Sequence, residues 1–320
     1  VKKLLSLVMA VAIVAAGFYG LSQMNSGSFQ WPLGQPPPAA PPVKPNDTIR
    51  IATFNLNVFG EKKVNDPQVV DFLVRICRHF DVIAVQEIRA LHQNVLPAFV
   101  DALNADGSHY EYVIGPRLGR TDSKEQYAFI FDAMSVEVDR NKVYTLQDAD
   151  DLLHREPLVA AFRVRGPGPS EAFTFNLVNV HVDPDETDRE LDVLDNAFLN
   201  VRDLAYPDGN QEDDVILLGD LNVNDRHLRQ LGRLKGIAWV VSGKQHTNTR
   251  RTAQYDNILF DSRHTMEFTG RAGVFDFGRE YGLTDQQALL ISDHFPVWAE
   301  FSVFEGGGAT QMAGELPRPR

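Results

Sequence analysis

One cysteine, Cys77, is all the thiol that this 320-residue chain possesses. That excludes an intramolecular disulfide and any structural zinc site built on two or more thiolates. Its distance from the N-terminus also excludes a bacterial lipoprotein. Positive charge is the second shortage: 31 lysines and arginines stand against 43 aspartates and glutamates, a net charge of −12. A nucleic-acid binder of the basic-patch kind is excluded, although an acidic enzyme still reaches a polyanion when a divalent cation bridges the two. With 43% hydrophobic and 23% charged residues, a polytopic membrane protein, a collagen-like chain and wholesale disorder are excluded as well.

The ends of the chain are distinct from its middle. Lys2 and Lys3 precede an apolar stretch from Leu4 to Leu21, the pattern of an export signal. Residues 1–24 are expected to be a signal peptide or a membrane anchor. Val14-Ala15-Ala16 offers a small-residue cleavage site, while the apolar stretch is just long enough to span a bilayer. On either reading the protein is expected to be exported: secreted, periplasmic or anchored to the outer face of the cell membrane. Val1 followed by a lysine pair suggests a bacterial gene with an alternative start codon. Residues 25–45 contain WPLGQPPPAAPPVKP, whose proline density forbids helix or sheet and favours an extended linker. Residues 305–320, rich in glycine and proline, are expected to form a disordered tail. One domain lies between, residues 46–304, with no break in composition, no internal repeat and no sign of an oligomer interface.

Within it, short β-type runs recur at Ile49–Leu56, Val82–Gln86, Tyr110–Ile114, Tyr127–Phe131, Val159–Val164, Phe173–Val182, Val215–Gly219, Tyr255–Phe260 and Phe295–Phe301. Helical periodicity covers Pro67–His79, Leu96–Asn104 and Thr187–Leu204, the last with Leu191, Leu194, Phe198 and Val201 on one face. Strands outnumber helices, which suffice only for outer faces. The expectation is an α/β (α+β) sandwich of two packed sheets with helices outside.

What terminates the strands is informative. Asn55, Glu87, His181, Asp220 and Asn222 close apolar runs; Asp256 opens one, and Asp293 and His294 precede the last. Asp220 and Asn222, two apart, point the same way on an extended chain. Singly, such residues cap turns. Brought together, uncompensated carboxylates repel unless a cation neutralises them. Oxygen ligands without thiolate suit Mg²⁺, Mn²⁺ or Ca²⁺, and imidazoles supply acid–base chemistry near neutral pH. The implied reaction is metal-assisted attack of water on a phosphorus ester.

The runs FNLNVFG, RICRHFDVIAVQEIR, YEYVIGPRLGR, SKEQYAFIF, REPLVA, VHVDP, LLGDLN, YDNILF, FDFGREYGL and ISDHFPV resemble, in order, the deoxyribonuclease I branch of the endonuclease/exonuclease/phosphatase superfamily. The likeness spans Ile49 to Phe301. It implies a four-layer αββα sandwich of two packed mixed β-sheets with outer helices, and a cleft at one edge of the paired sheets. It makes Glu87 the principal Mg²⁺ ligand, with Asn55 beside metal and phosphate. It assigns Glu125 to orient His181 and Asp256 to orient His294. Asp220, Asn222 and Asp293 would hold metal, water or phosphate, while Arg89 and Arg155 would contact the phosphate backbone or groove.

The resemblance also marks departures. The animal enzyme's two disulfides have no counterpart here; Asp148, Asp150 and Asp151 keep a carboxylate cluster in one of the affected loops, a place for a structural Ca²⁺. Asn57 stands where that enzyme has arginine, and Ser123 where it has a groove-packing tyrosine. The leading expectation is an exported Mg²⁺- or Mn²⁺-dependent endonuclease acting on DNA, duplex favoured, that leaves 5′-phosphate and 3′-hydroxyl ends. The alternative is a phosphodiesterase of the same fold acting on single-stranded nucleic acid, abasic DNA or a phospholipid headgroup. A third reading, an inactive membrane-tethered binding protein, is opposed by the complete set of site residues.

Overall fold

A computed structural model describes residues 47–121, 124–204 and 211–307. All of them belong to the second of the two compact units into which the chain divides, residues 37–320. The expected signal or anchor, the proline-rich linker, Ser123 and the tail beyond Gly307 lie outside the described residues. Glu305–Gly307, the start of the expected tail, form a 3₁₀ turn. Among the described residues, no helix is long and apolar enough to cross a membrane.

Two six-stranded sheets carry the fold. The first contains β1 (Thr48–Phe59), β2 (Val82–Ile88), β3 (Tyr110–Ile114), β4 (Gln126–Asp132), β11 (Phe268–Val274) and β12 (Val297–Ser302), in the order β11-β12-β1-β2-β4-β3. The second contains β5 (Val136–Thr145), β6 (Leu158–Val164), β7 (Thr174–His181), β8 (Val215–Asp220), β9 (Ile237–Trp239) and β10 (Asp256–Asp261), in the order β5-β6-β7-β8-β10-β9. Both sheets are mixed. Each holds a parallel pair near its centre, β1 with β2 and β7 with β8, and antiparallel neighbours elsewhere.

Strand alternation builds the layers. Tyr127, Phe129 and Phe131 of β4 meet Phe175 and Leu177 of β7 in the core between the sheets. On the far side of the second sheet, Val178, Val180 and Leu217 pack under helix α4 (Thr187–Arg202) through Leu191, Leu194, Phe198 and Val201. Those are the four positions that its periodicity singled out. Burying each such side chain contributes roughly 1.5–3 kcal/mol relative to exposure. Because both faces of the central strands are covered, they read as continuous apolar runs rather than alternating ones.

The first sheet carries helices α1 (Glu61–Val64), α2 (Pro67–Cys77), α3 (Val95–Leu103), α5 (Phe277–Glu280) and α6 (Asp285–Ile291). Helix α2 starts where Asp66 accepts hydrogen bonds from Gln68 N and Val69 N with a proline in the first turn, and it buries Val69, Leu73, Ile76 and Cys77. Phe54 and Phe59 of β1 contact Phe277 of α5 and Phe99 of α3. This is the sandwich that the sequence predicts.

Strands β5, β9 and β11 escape the sequence pattern, and all three are edge strands. VEVDRNKVYT in β5 is mostly half-buried or exposed and shifts register between Asp139 and Val143. FTGRAGV in β11 carries two glycines and a similar shift. Neither offers the apolar face that periodicity detects. Helix α6 is also missed; its signal is a capping box, Thr284 with Gln287, ahead of a short apolar run.

Beneath one edge a polar bridge links the sheets. Gln86 Nε2 donates to Asn179 Oδ1 at 2.7 Å and to Thr53 Oγ1 at 2.9 Å. Asn179 Nδ2 returns bonds to the Val85 and Ala128 carbonyls, both at 3.1 Å. Gln86, Thr53 and Asn179 are all buried. Asn179→Leu removes those partners and should destabilise the fold by about 2–3 kcal/mol, since buried polar groups left unpaired cost on that scale. Urea unfolding of both proteins reads the difference; equal midpoints would mean that the bridge carries no load.

Candidate active site

The parallel strand pairs deliver their carboxyl ends to one edge of the sandwich. Register places His181 opposite Asp220 across β7 and β8, and Asp256 opposite Asp220 across β8 and β10. In the first sheet Asn55 stands opposite Gln86, with Glu87 next in the chain. His294 arrives just before β12, bridged to Asn248.

These side chains form an alternating row. Glu125 Oε1 lies 2.6 Å from His181 Nδ1, and His181 Nε2 lies 3.6 Å from Asp220 Oδ2. The same oxygen lies 3.6 Å from His294 Nε2, whose Nδ1 meets Asp256 Oδ2 at 2.8 Å. Each ring therefore gives one nitrogen to an orienting carboxylate and turns the other toward Asp220. Burial opposes charge on both rings. For His181, Glu125 and Asp220 outweigh it and raise the pKa. For His294, Asp256 and Asp220 push it up to about 10. Asp220 is held below its usual range despite burial, because His294, His181 and the Asn55 amide favour its charge.

Across the cleft, Asn55 joins the two sheets: its Nδ2 donates to Asp220 Oδ2 at 3.0 Å and to Glu87 Oε1 at 3.3 Å, while Asn57 N donates to its Oδ1 at 2.8 Å. Glu87 Oε2 accepts from Val58 N at 2.8 Å and pairs with Arg89 Nη2 at 3.2 Å. Asn57, Val58 and Glu87 all have positive φ, +46°, +54° and +61°. Such a conformation costs a non-glycine residue of order 1–3 kcal/mol. The bulges it creates turn β1 and β2 out of register and aim Glu87 at the cleft.

Three placements differ from the sequence expectation. The extended chain ends at Asp220, and Asn222, with φ +54°, lies in the turn beyond it. It is tied to Asp220 by its own N–H to Oδ1 at 3.0 Å, while its Nδ2 donates to the Val182 carbonyl at 2.7 Å. Arg155, expected to meet a phosphate or groove, has a side chain only 3% exposed. Its guanidinium faces Glu125 Oε1 at 3.3 Å and the His181 carbonyl, so it braces the Glu125–His181 pair. Asp148 and Asp151 are engaged locally: Asp148 Oδ2 accepts from Leu153 N at 2.6 Å, and Asp151 pairs with Arg120 at 3.1 Å. Arg89 remains at the cleft, 3.5 Å from Glu125 Oε2. Asp293 is half-exposed, its Oδ1 3.8 Å from His294 Nε2.

Several supporting groups gave no signal in the sequence. Ser292 Oγ donates to the Asn55 carbonyl at 2.7 Å and accepts from His294 N at 3.0 Å, fixing the ring to β1. Thr247 Oγ1 accepts from Tyr255 N and Asp256 N. Tyr127 Oη accepts from His181 N at 3.0 Å. Lys63 Nζ donates to the Leu56 and Ile291 carbonyls, and burial lowers its pKa to about 8 against the pull of Asp293 and Glu87. Beside Asn222 and Tyr255, a recess of about 550 Å³ is lined by Arg226, His227, Lys244 and His246.

The donor set suits a hard divalent cation. Glu87, Glu125 and His181 gather within 4.8 Å, as do Asp220, Asp256 and His294. Among the described residues, Asp256 Oδ1 is a buried oxygen with no hydrogen-bond partner, and Glu125 Oε2 has only the Arg89 ion pair at 3.5 Å. Carboxylate oxygen without thiolate is the chemistry of Mg²⁺, Mn²⁺ or Ca²⁺.

Residues 52–294 match the model of the Endonuclease/Exonuclease/phosphatase family. The chain is 34% identical over 268 residues to Deoxyribonuclease-1-like 1 of Sus scrofa, covering 80% of this chain and 82% of that one. It is 30% identical over 266 residues to Deoxyribonuclease-1 of Bos taurus, covering 78% and 91%. In fold it resembles humanized D. rerio TDP2, with a TM-score of 0.54 at 15% identity over 79% of this chain and 98% of that one.

The raised His294 has a consequence for stability. Its folded pKa of about 10 exceeds the roughly 6.5 of a free imidazole. Between those values the folded state holds more protons than the unfolded one. Its contribution is complete below about pH 6.5 and is lost as pH rises through 10. In metal-free protein, unfolding free energy should fall more steeply with pH for the wild type than for His294→Gln over that window. Parallel slopes in urea titrations from pH 6 to 10 would contradict the ion pair.

Proposed function

The chain belongs to the endonuclease/exonuclease/phosphatase family, and from that premise we propose that it is a divalent-metal-dependent endonuclease that hydrolyses the phosphodiester bonds of DNA. The observation that carries this reading is the alternating row Glu125, His181, Asp220, His294, Asp256. It presents two imidazole Nε2 atoms to one cleft with their orientations fixed. Hydrolysis needs one group to take a proton from attacking water and another to give one to the departing oxygen.

Proton affinity suggests the division. His294, with its pKa near 10, keeps its proton at neutral pH and donates it to the leaving 3′-oxygen as the P–O3′ bond breaks. His181, oriented by Glu125, accepts the proton of the attacking water, and the products carry 5′-phosphate and 3′-hydroxyl ends. Glu87, Asn55, Asp220, Asn222 and Asp293 are the residues that would hold Mg²⁺ or Mn²⁺. When bound, the cation supplies charge neutralisation for the phosphate oxygens. Arg89, at the cleft mouth, would meet the phosphate backbone; Arg155 acts through Glu125 and His181.

DNA is the substrate supported by the relatives named deoxyribonucleases. The recess beside Asn222, where Arg226 and Lys244 outnumber Asp225, supports a long polyanion over a small phosphoester. The charged and apolar N-terminal stretch supports export of the enzyme, either secreted or tethered.

Plasmid nicking tests the proposal. Wild type should convert supercoiled to open-circular duplex with Mg²⁺ or Mn²⁺ and stop in excess EDTA; Ca²⁺ alone should sustain only part of the rate. His181→Ala and His294→Ala should each lose at least about two orders of magnitude with unchanged circular dichroism. Glu125→Gln should lose less than His181→Ala, since only part of the ring's orientation is lost. Full nicking without metal, or half the wild-type rate in both histidine variants, would sink the mechanism. Faster turnover of single-stranded DNA, abasic DNA or sphingomyelin than of plasmid would move the same chemistry to another substrate.

A further inference from the structure

The opposite end of the sandwich holds a second gathering of carboxylates. Asp214 lies just before β8, six residues upstream of Asp220 and at the other end of that strand. Glu267 lies just before β11, and Glu305 follows β12. Carboxylate oxygens of Asp214, Glu267 and Glu305 fall within 4.8 Å of one another, as do those of Glu212, Asp213 and Asp214. The cluster joins the two sheets: Asp214 belongs to the second, Glu267 and Glu305 to the first.

Its inner members are deeply buried, Asp214 at 2% exposure and Glu267 at 1%. Donors fix one side of Glu267, Glu305 and Glu212. Gly306 N donates to Glu267 Oε1 at 2.6 Å, and Thr174 N donates to Glu305 Oε2 at 3.2 Å. Glu212 is held at both oxygens, by Asp214 N at 3.0 Å and by the Thr174 hydroxyl. The other side is open. Among the described residues, Asp214 Oδ1, Glu267 Oε2 and the buried Thr265 Oγ1 have no hydrogen-bond partner. The Thr265 hydroxyl stands against Asp214 and favours its charged form, at a distance too long for a full hydrogen bond. The groups acting most strongly on Asp214 are its burial, Glu267, Glu212, Thr265 and Glu305, and none is a cation. At the margin His264 Nδ1 meets Asp213 Oδ2 at 2.7 Å.

A native interior does not leave three oxygens on two sheets facing one another unpaired without a reason. We propose that Asp214, Glu267, Glu305 and the Thr265 hydroxyl form a structural Ca²⁺ site that clamps the two sheets at the end remote from the cleft. The ligands come from three chain segments, and backbone amides hold Glu267 and Glu305. Ca²⁺ accepts six to eight oxygens in such a cage, whereas Mg²⁺ demands a near-ideal octahedron and keeps its waters. The site is independent of the phosphodiesterase reading.

The test counts calcium. Full-length wild type and the double variant Asp214→Asn/Glu267→Gln are stripped with EDTA, dialysed, and equilibrated with radiolabelled CaCl₂. The variant should bind one Ca²⁺ fewer per chain, the cleft being unchanged. At about a hundredfold excess over Kd, Ca²⁺ should raise the wild-type Tm by about 5–10 °C through this site, and the variant should lose that part of the gain. Equal counts in the two proteins overturn the proposal, even if the variant is more stable without calcium because two repelling charges are gone. Should the double variant fail to fold, Glu305→Gln/Thr265→Val takes its place, with weakened calcium affinity expected. Crystals of the wild type grown with CaCl₂ decide it independently: an anomalous peak among Asp214, Glu267 and Glu305 supports the clamp, and bare carboxylates there refute it.

Discussion

A carboxylate buried between two imidazoles sets the terms for the rest of the cleft. Asp220 is almost wholly removed from solvent, and the groups that favour its charge are His294, His181, the Asn55 amide and the Asn222 N–H. A buried charge costs several kcal/mol unless partners compensate it. Two rings that compensate Asp220 through Nε2 must themselves be held through Nδ1, and Glu125 and Asp256 do so. Arg155 meets Glu125 as well, so the positive charge on this array is not that of the imidazoles alone. Arg155, Tyr127, Thr247 and Ser292 hold its parts in place.

The sheets supply this row unequally. His181, Asp220 and Asp256 come from adjacent strands of one sheet, so ordinary pairing register is enough to align them. Glu87, Asn55 and Glu125 come from the other, and reach the cleft through positive-φ bulges and an isolated bridge between Leu118 and Glu125. Regular register aligns the three residues of the second sheet, and positive-φ backbone recurs at Glu87 and Asn222, on both sides of the cleft. Strain of that kind persists only where surroundings over-determine it, which the Gln86–Asn179 bridge directly below provides.

The sequence made the frame legible because central strands buried on both faces leave unbroken apolar runs, and polar residues at their ends mark the edge. His181, Asp220, Asp256 and His294 were visible for that reason. Glu125 was not, since it stands outside any long run; the resemblance of SKEQY to a family identified it. The resemblance assigned Arg155 to phosphate or groove, whereas its guanidinium turns inward to a carboxylate and a carbonyl. Lys63, Ser292 and Thr247 act through contacts between residues far apart in sequence, as with Ser292 and Asn55, and no local pattern encodes those. Edge strands β5 and β11 were missed because solvent on one side removes the apolar periodicity.

The pairing of β1 with β12, from Thr48 against Ser302 to Thr53 against Val297, has a consequence for biosynthesis. The first strand to emerge occupies the middle of its sheet, yet one of its two neighbours is the last strand translated. Until that strand appears, β1 exposes an unpaired edge and His294 has not been fixed against Asp220. A nascent chain therefore has no intermediate length at which the cleft is assembled, and competence arrives only with the final stretch of the domain. That ordering is a built-in latency: a chain that still lacks β12 has no assembled cleft.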